Sequence, residues 1–387
     1  MLRHLCFVTL WLAVCLMAQD EVAPTIPQLT KDGDAAYLKG DYETARQTFA
    51  RAWELAQQTP KDNPERYAIL KRMTSVRAAA GEFADADNWL QQAITWRENT
   101  LGQKDHGIPD DLLISVGLCR GMKDFDRALV ILRRVQSLHV DFYTPESAMV
   151  ADDFSRNGGV YAEQKKIPEA VSAIDAALLI RTKLGGPLDP ALIPDLDRLG
   201  EYHTMLRDYP LAEASFRHVL VIRETLYGKT HADLIATVDG LAYALFGQHK
   251  YDEADPVYQR LIGLWEFSVG KDHPMVAVAL DKLAVFYSAQ KKYPETRDAL
   301  ERSSAIRARF LAMGISQQAT QAFTEGHPDQ VKTFYQRGLA VLEPPSPINE
   351  DLRGEFEGML KALDVPPPKS AAPPRKAPAP PKKADKL

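Results

Sequence analysis

Apolar residues in this chain recur at helical spacing, and the block that carries them recurs in turn. A short alanine with a usually aromatic residue three places before it stands at Tyr42/Ala45, Phe83/Ala86, Phe125/Ala128, Ile167/Ala170, Tyr209/Ala212 and Tyr251/Ala254, and Tyr293/Thr296 keeps the register. The first interval is 41 residues and the next five are 42. Four places after each anchor the chain is apolar (Phe49, Leu90, Leu132, Ile174, Phe216, Tyr258, Leu300). Twelve places before it the residue is mostly small (Gly33, Thr74, Val116, Gly158, Gly200, Ala242, Ala284). Small residues at fixed helical offsets let two helices approach closely, while the large residue one turn on fills the space beside them. A constant period of this length predicts a stack of like units, none of which can bury its apolar face alone.

Each unit predicts a helix, a tight turn and a second helix. Lys39-Gly40-Asp41 and Ala80-Gly81-Glu82 mark the first two turns, and polar pairs such as Arg207-Asp208 and Lys291-Lys292 mark later ones. Pro168, Pro210 and Pro294 fall at the starts of second helices, where a backbone donor has no helical partner to lose. Between units, Gly102, Gly185, Gly228 and Gly270 are expected to end helices in left-handed caps, and His106, Asp189, His231 and His273 to open the next ones.

The small-residue grid, the closing glycines and the Gly-x-x-His joints resemble tetratricopeptide repeats, in the 42-residue form found in kinesin light chains, over residues 29–310. The resemblance implies an all-α, right-handed α-solenoid of about seven helical hairpins, with the first helix of each hairpin lining a concave groove for a protein or an extended peptide. The sequence departs from the family pattern at the turn glycine, kept as Gly40 and Gly81 but replaced by Lys123, Lys165, Arg207, His249 and Lys291. The turn geometry is therefore the feature to test. Residues 311–365 continue helically and read as a cap over the last apolar face. Residues 366–387, made largely of Pro, Ala and Lys, have little to bury and read as a disordered or polyproline II tail.

Composition narrows the function classes. Of three cysteines in 387 residues, Cys6 and Cys15 lie near the start and only Cys119 lies beyond, too few for a disulfide framework or a cysteine zinc site. The net charge of -5 is uneven, because residues 366–387 carry six cations against Asp385. The acidic stretch between the ends argues against nucleic acid as the partner. Arg3 and His4 precede a fourteen-residue run, apolar except for Thr9, that ends at Ala18, the pattern of a removed export signal at residues 1–18 followed by a linker at 19–28. Leu12-Ala13-Val14-Cys15 is similar to a lipobox, although Val14 stands where a small residue is expected; only lipidation at Cys15 would bring a membrane into the account. The expected place is thus the periplasm or the outside of a bacterial cell.

The chain carries no complete catalytic or cofactor motif of the kinds its fragments suggest. Gly228-Lys229-Thr230 lacks the first glycine of a phosphate loop, where Arg223 stands, and Ser288-Ala-Gln-Lys291 lacks its Lys-Thr-Gly partner. No enzyme activity, cofactor or metal is expected. The groove remains. Three residues before the small site, Asp197, Asp239 and Asp281 fall in consecutive units, with Glu201, Tyr243 and Phe246 close by, whereas Lys71, Arg72, Arg120 and Arg156 gather in units 2 to 4. Three like charges in a row repel one another, which points to a cationic peptide as the ligand of the later repeats. The competing expectations are a self-associating envelope component, as a homo-oligomer, and a hydrolase with its chemistry in residues 311–365.

Overall fold

The structure, a computed structural model, describes residues 24–364, so the expected export signal and cleavage site, Cys15 and the expected tail at 366–387 lie outside the described residues. The described chain holds sixteen α-helices and no strand, and it divides after Asp208 into two compact units. Among the described residues no helix is long and apolar enough to cross a membrane.

The first unit contains α1 (Ile26–Leu38), α2 (Tyr42–Ala56), α3 (Pro64–Ala79), α4 (Phe83–Leu101), α5 (Ile108–Gly121), α6 (Phe125–Phe142), α7 (Ala148–Glu163), α8 (Ile167–Gly185) and, after a 3-10 turn at Pro190–Leu192, α9 (Ile193–Met205). Consecutive helices pack as antiparallel neighbours joined by short loops. The anchor alanines Ala45, Ala86, Ala128 and Ala170 are wholly buried, as are their partners Leu90, Leu132 and Ile174 one turn later, and burying one such leucine or isoleucine stabilises by roughly 1.5–3 kcal/mol. Gly158 shows why the small site is small. A Cβ there would stand 2.8 Å from Cδ1 of Ile174.

The second unit contains α10 (Tyr209–Tyr227), α11 (Leu234–Gly247), α12 (Tyr251–Val269), α13 (Pro274–Ala289), α14 (Tyr293–Thr324), α15 (Pro328–Val341) and, after a 3-10 turn at Pro347–Asn349, α16 (Glu350–Asp364). One core joins Phe216, Leu241, Tyr258, Leu280, Phe286 and Ile306, and a separate one beneath the cap joins Ala312, Ala319, Tyr335 and Phe356. Both draw on α14, a single helix of 32 residues. The boundary expected at 310/311 therefore falls inside a helix: the second helix of the last repeat continues as the first helix of the cap.

All seven hairpin turns share one geometry. Gly40 and Gly81 have φ of 79° and 80°, and Lys123, Lys165, Arg207, His249 and Lys291 take the same left-handed conformation at 60–62°. In the fourth hairpin the amide of Lys165 donates to the Ala162 carbonyl and that of Lys166 to the Tyr161 carbonyl, each at 2.9 Å. This is the Schellman pairing that satisfies the last carbonyls of a helix. A left-handed side-chain residue costs about 1–2 kcal/mol. Packing on both sides of the turn holds it there. The joint between repeats 4 and 5 corrects one expectation: Gly186 (φ 83°), not Gly185, is the left-handed cap, since Gly185 is the last residue of α8 and presses against the Asp189 side chain. At the joints, His273 uses its ring as a helix cap, accepting from the Met275 amide at 3.2 Å.

Candidate protein-binding surfaces

Every first helix of the later first-unit repeats is clasped by a side chain from the preceding second helix. Arg97 of α4 donates to Asp111 of α5 at 2.9 Å, Nδ1 of His139 in α6 lies 2.7 Å from Asp153 in α7, and Arg181 of α8 pairs with Asp195 of α9. The partners are 14 residues apart each time, and the three acids are 1%, 0% and 1% exposed. Buried carboxylates need more than one donor to offset desolvation. Tyr67 and Lys71 supply Asp111 at 2.8 and 2.6 Å, Arg156 supplies Asp153 at 3.2 Å, and Ser155 supplies Asp195 at 3.0 Å. Even so, burial outweighs His139 and Arg156 at Asp153 and pushes its carboxyl above the ordinary range. In the second unit the register continues with a hydrogen bond from Arg223 to Thr237 and ends where Trp265 and Ala279 replace the pair.

The clasps leave an open cleft of about 800 Å³ over α5, α7 and α9, lined by Arg120, Ser155, Arg156, Arg198 and Tyr202. Arg120 is bridged to Glu163 of α7, with Nε 3.1 Å from both carboxylate oxygens. Lys71 and Arg72 lie elsewhere, Lys71 on buried Asp111 and Arg72 on Asp34 of α1 at 2.9 Å. The four basic candidates thus do not form one patch: Arg120 and Arg156 share the cleft, while Lys71 and Arg72 tie neighbouring first helices together. On α9, burial and the charge of Asp197 raise the Glu201 carboxyl, so these two candidates sit within electrostatic reach of each other.

In the second unit a cleft of about 460 Å³ opens between α11 and α13, lined by Ile235, Asp239, Trp265, Met275, Val278 and Lys282. Asp239 accepts from Lys282 at 2.5 Å. Asp281 accepts from Ser303 at 2.5 Å and pairs with Arg307; burial would raise its carboxyl, but these hydrogen bonds outweigh burial and hold it below the usual range. The expected row of mutually repelling charges is therefore corrected at Asp239 and Asp281, each of which is paired with a cation and binds two helices together. Of the aromatic candidates, Tyr243 is 49% exposed and meets Tyr209 edge-on, whereas Phe246 packs against the Phe286 ring of the core.

The acids and bases of the clasps were missed in the sequence, although a legible signal existed in charges of opposite sign held 14 residues apart and repeated every 42. Cys119 is wholly buried, and burial raises its thiol.

Paired helices, a Schellman turn in each hairpin and clefts over the first helices define an all-helical repeat scaffold. Tetratricopeptide-repeat family models match residues 196–233 and 233–309, so that stretch is built of tetratricopeptide repeats. The C-terminal part of a TPR repeat-containing protein from Cytophaga hutchinsonii is similar at 15% identity and a TM-score of 0.51, over 72% of this chain and 95% of that one. A putative kinesin light chain repeat structure from Podosopora anserina aligns at 18% identity and a TM-score of 0.47, over 52% of this chain and 97% of that one. BtubC from P. vanneervenii aligns at 17% identity and a TM-score of 0.47, over 58% and 90%. At these identities the likeness concerns the fold. Comparison with curated proteins gave no match.

Proposed function

We propose that this chain is an exported, non-enzymatic scaffold that receives an extended peptide along its first helices, with cationic residues favoured in the second unit. Tetratricopeptide-repeat proteins generally bind protein or peptide partners, which supports the coarse reading. The observation that carries the finer one is the cleft at Asp239. Its ion pair with Lys282 is between two partly exposed side chains, 35% and 45%, so its opening costs no more than about 1 kcal/mol. A lysine or arginine of the ligand replaces Lys282 there, beside Trp265 and Val278, with Tyr243 on the same first helix, α11. Asp197 and Glu201 offer the same chemistry on α9. Arg120 and Arg156 would bracket an acidic residue in the other cleft. Export rests on residues 1–18 and is tested by cell fractionation with and without them.

Fluorescence anisotropy with two labelled peptides of equal length, one alternating Lys and Ala and one alternating Glu and Ala, separates the readings. The cationic peptide should bind more weakly to Asp239→Asn and more tightly to Lys282→Ala, because the second substitution frees the carboxylate. Equal affinity of both variants for the cationic peptide refutes the assignment.

A further inference from the structure

A third cleft, of about 770 Å³, lies away from the first-helix clefts, between α2, α3 and α4, and is lined by Trp53, Trp96, Gln92, Thr95 and Asn99 with the loop at Lys61 and Asp62. The repeat register supplies an internal control for what is unusual about it. At the position of Trp96 the other six repeats carry Leu55, Leu138, Ile180, Ile222, Leu264 and Ile306, the last five of them buried. At the position of Gln92 they carry Arg51, Arg134, Ala176, His218, Arg260 and Arg302. The second repeat alone replaces an aliphatic core residue with indole and, one turn away on the same face, a mostly cationic position with a neutral amide. Asn99 extends that face by a further turn.

The indole is held in place rather than left loose. Its N–H donates to the Lys61 carbonyl at 2.7 Å, and its ring lies against Tyr67 with centroids 5.6 Å apart. Tyr67 is itself fixed beneath Arg97 and by hydrogen bonds to Asp111. Arg66, the one guanidinium in the lining, donates to the carbonyls of Ala56, Gln57 and Thr59 at 3.0, 2.7 and 2.6 Å, so its charge is turned inward to close the α2–α3 loop. The α4 face that remains is neutral: Gln92, Thr95 and Asn99 are exposed, and among the described residues the Thr95 and Asn99 side chains hold no hydrogen bond.

We infer that this cleft is a binding site for a neutral oligosaccharide. A pyranose ring presents a flat C–H face to an aromatic ring and a rim of hydroxyls, each both donor and acceptor. The amides of Gln92 and Asn99 offer a donor and an acceptor on one group, and Thr95 adds a hydroxyl, which matches that rim without any net charge. A proline-rich peptide, such as this chain's own residues 366–387, would also meet an aromatic-lined groove. Its carbonyls call for an indole N–H donor, and that of Trp96 is already committed to Lys61. Trp96 therefore offers its indole face and not its N–H, and that suits the sugar.

Saturation-transfer NMR on the full chain with cellotetraose, chitotetraose and maltotetraose tests the site. Transfer from the protein to at least one of them is expected, with affinity lowered about tenfold or more in Trp96→Leu, which installs the residue of the other repeats, and in Gln92→Ala/Asn99→Ala, which alters only exposed side chains. Circular dichroism confirms that each variant is folded. No transfer to any of the three sugars, or transfer unchanged in the folded variants, overturns the inference. So does binding of a synthetic 366–387 peptide that is lost in Trp96→Leu while the sugars give no signal, because the occupant would then be polyproline. Since the cleft shares no residue with those around Arg156 or Asp239, neither result bears on the peptide reading.

Discussion

Gly158 and Gly159 are neighbours on α7, yet replacing each with alanine is expected to move stability in opposite directions. A methyl group at 158 would stand 2.8 Å from Cδ1 and 2.9 Å from Cγ1 of Ile174, and 3.2 Å from the Ala170 carbonyl oxygen. Ile174 is wholly buried. Overpacking of this kind costs about 1–3 kcal/mol, and the better helix propensity of alanine offsets about 1 kcal/mol of it. Gly158→Ala should therefore destabilise by roughly 1 kcal/mol. Around Gly159 nothing lies within 4 Å of the added carbon. There propensity acts alone, and Gly159→Ala should stabilise by about 1 kcal/mol. A repeat array opens locally, so hydrogen exchange of the α7 amides is the assay that reads the effect where it arises. In the parent protein α7 should exchange faster than α9 and α11, because it holds two glycines in its interior where they hold one each, Gly200 and Gly240. Gly159→Ala should slow that exchange about fivefold and Gly158→Ala should speed it by a similar factor. If both variants shift exchange the same way, the close approach of α7 to Ile174 is not what selects glycine at 158.

Three further outcomes follow from the packing. Hydrogen bonds from Arg309 and from the Leu352 amide hold the Asp351 carboxyl down to about 2, so the stabilisation it gives the cap is present above its ordinary value of 3.8 and is lost as the pH falls towards 2. Its side chain is 68% exposed, which limits the effect to under about 1 kcal/mol, and the difference in urea midpoint between the parent and Asp351→Asn should vanish as the pH is lowered from 5 to 2. Asp111→Ala leaves Arg97 and Lys71 without their shared carboxylate and should cost about 3–5 kcal/mol in urea unfolding followed by circular dichroism. Lys165→Gly removes a left-handed lysine worth about 1–2 kcal/mol of strain but adds unfolded-chain freedom of about 0.5–1, for a net gain of roughly 0.5 kcal/mol by calorimetry.

The anchor alanines and their neighbours made the hairpins legible because backbone approach admits few residue types, and a rule with few solutions shows through in a single sequence. Turn glycines were a weaker guide: five turns keep the left-handed conformation with Lys, Arg or His, since the helices on either side dictate it. The charged candidates were the least legible. Asp239 finds Lys282 and Asp281 finds Arg307 across helix neighbours, at separations of 43 and 26 residues, and nothing in the local pattern around an aspartate tells whether a cation will reach it. The boundary of the cap was hidden for another reason. Residues 303–315 keep a helical pattern without a break, and where one core stops and another starts leaves no mark on a helix that serves both.

That shared rod constrains how the chain can change in length. Duplication or loss of a whole hairpin needs a cut at a loop on both sides, and the loops ahead of Tyr293 provide such cuts. From Tyr293 to Thr324 there is none. An insertion there would rotate Ala312, Ala319 and their partners off Phe356 by 100° for each residue added, so the number of repeats can grow or shrink upstream while the last hairpin and its cover are inherited as one piece.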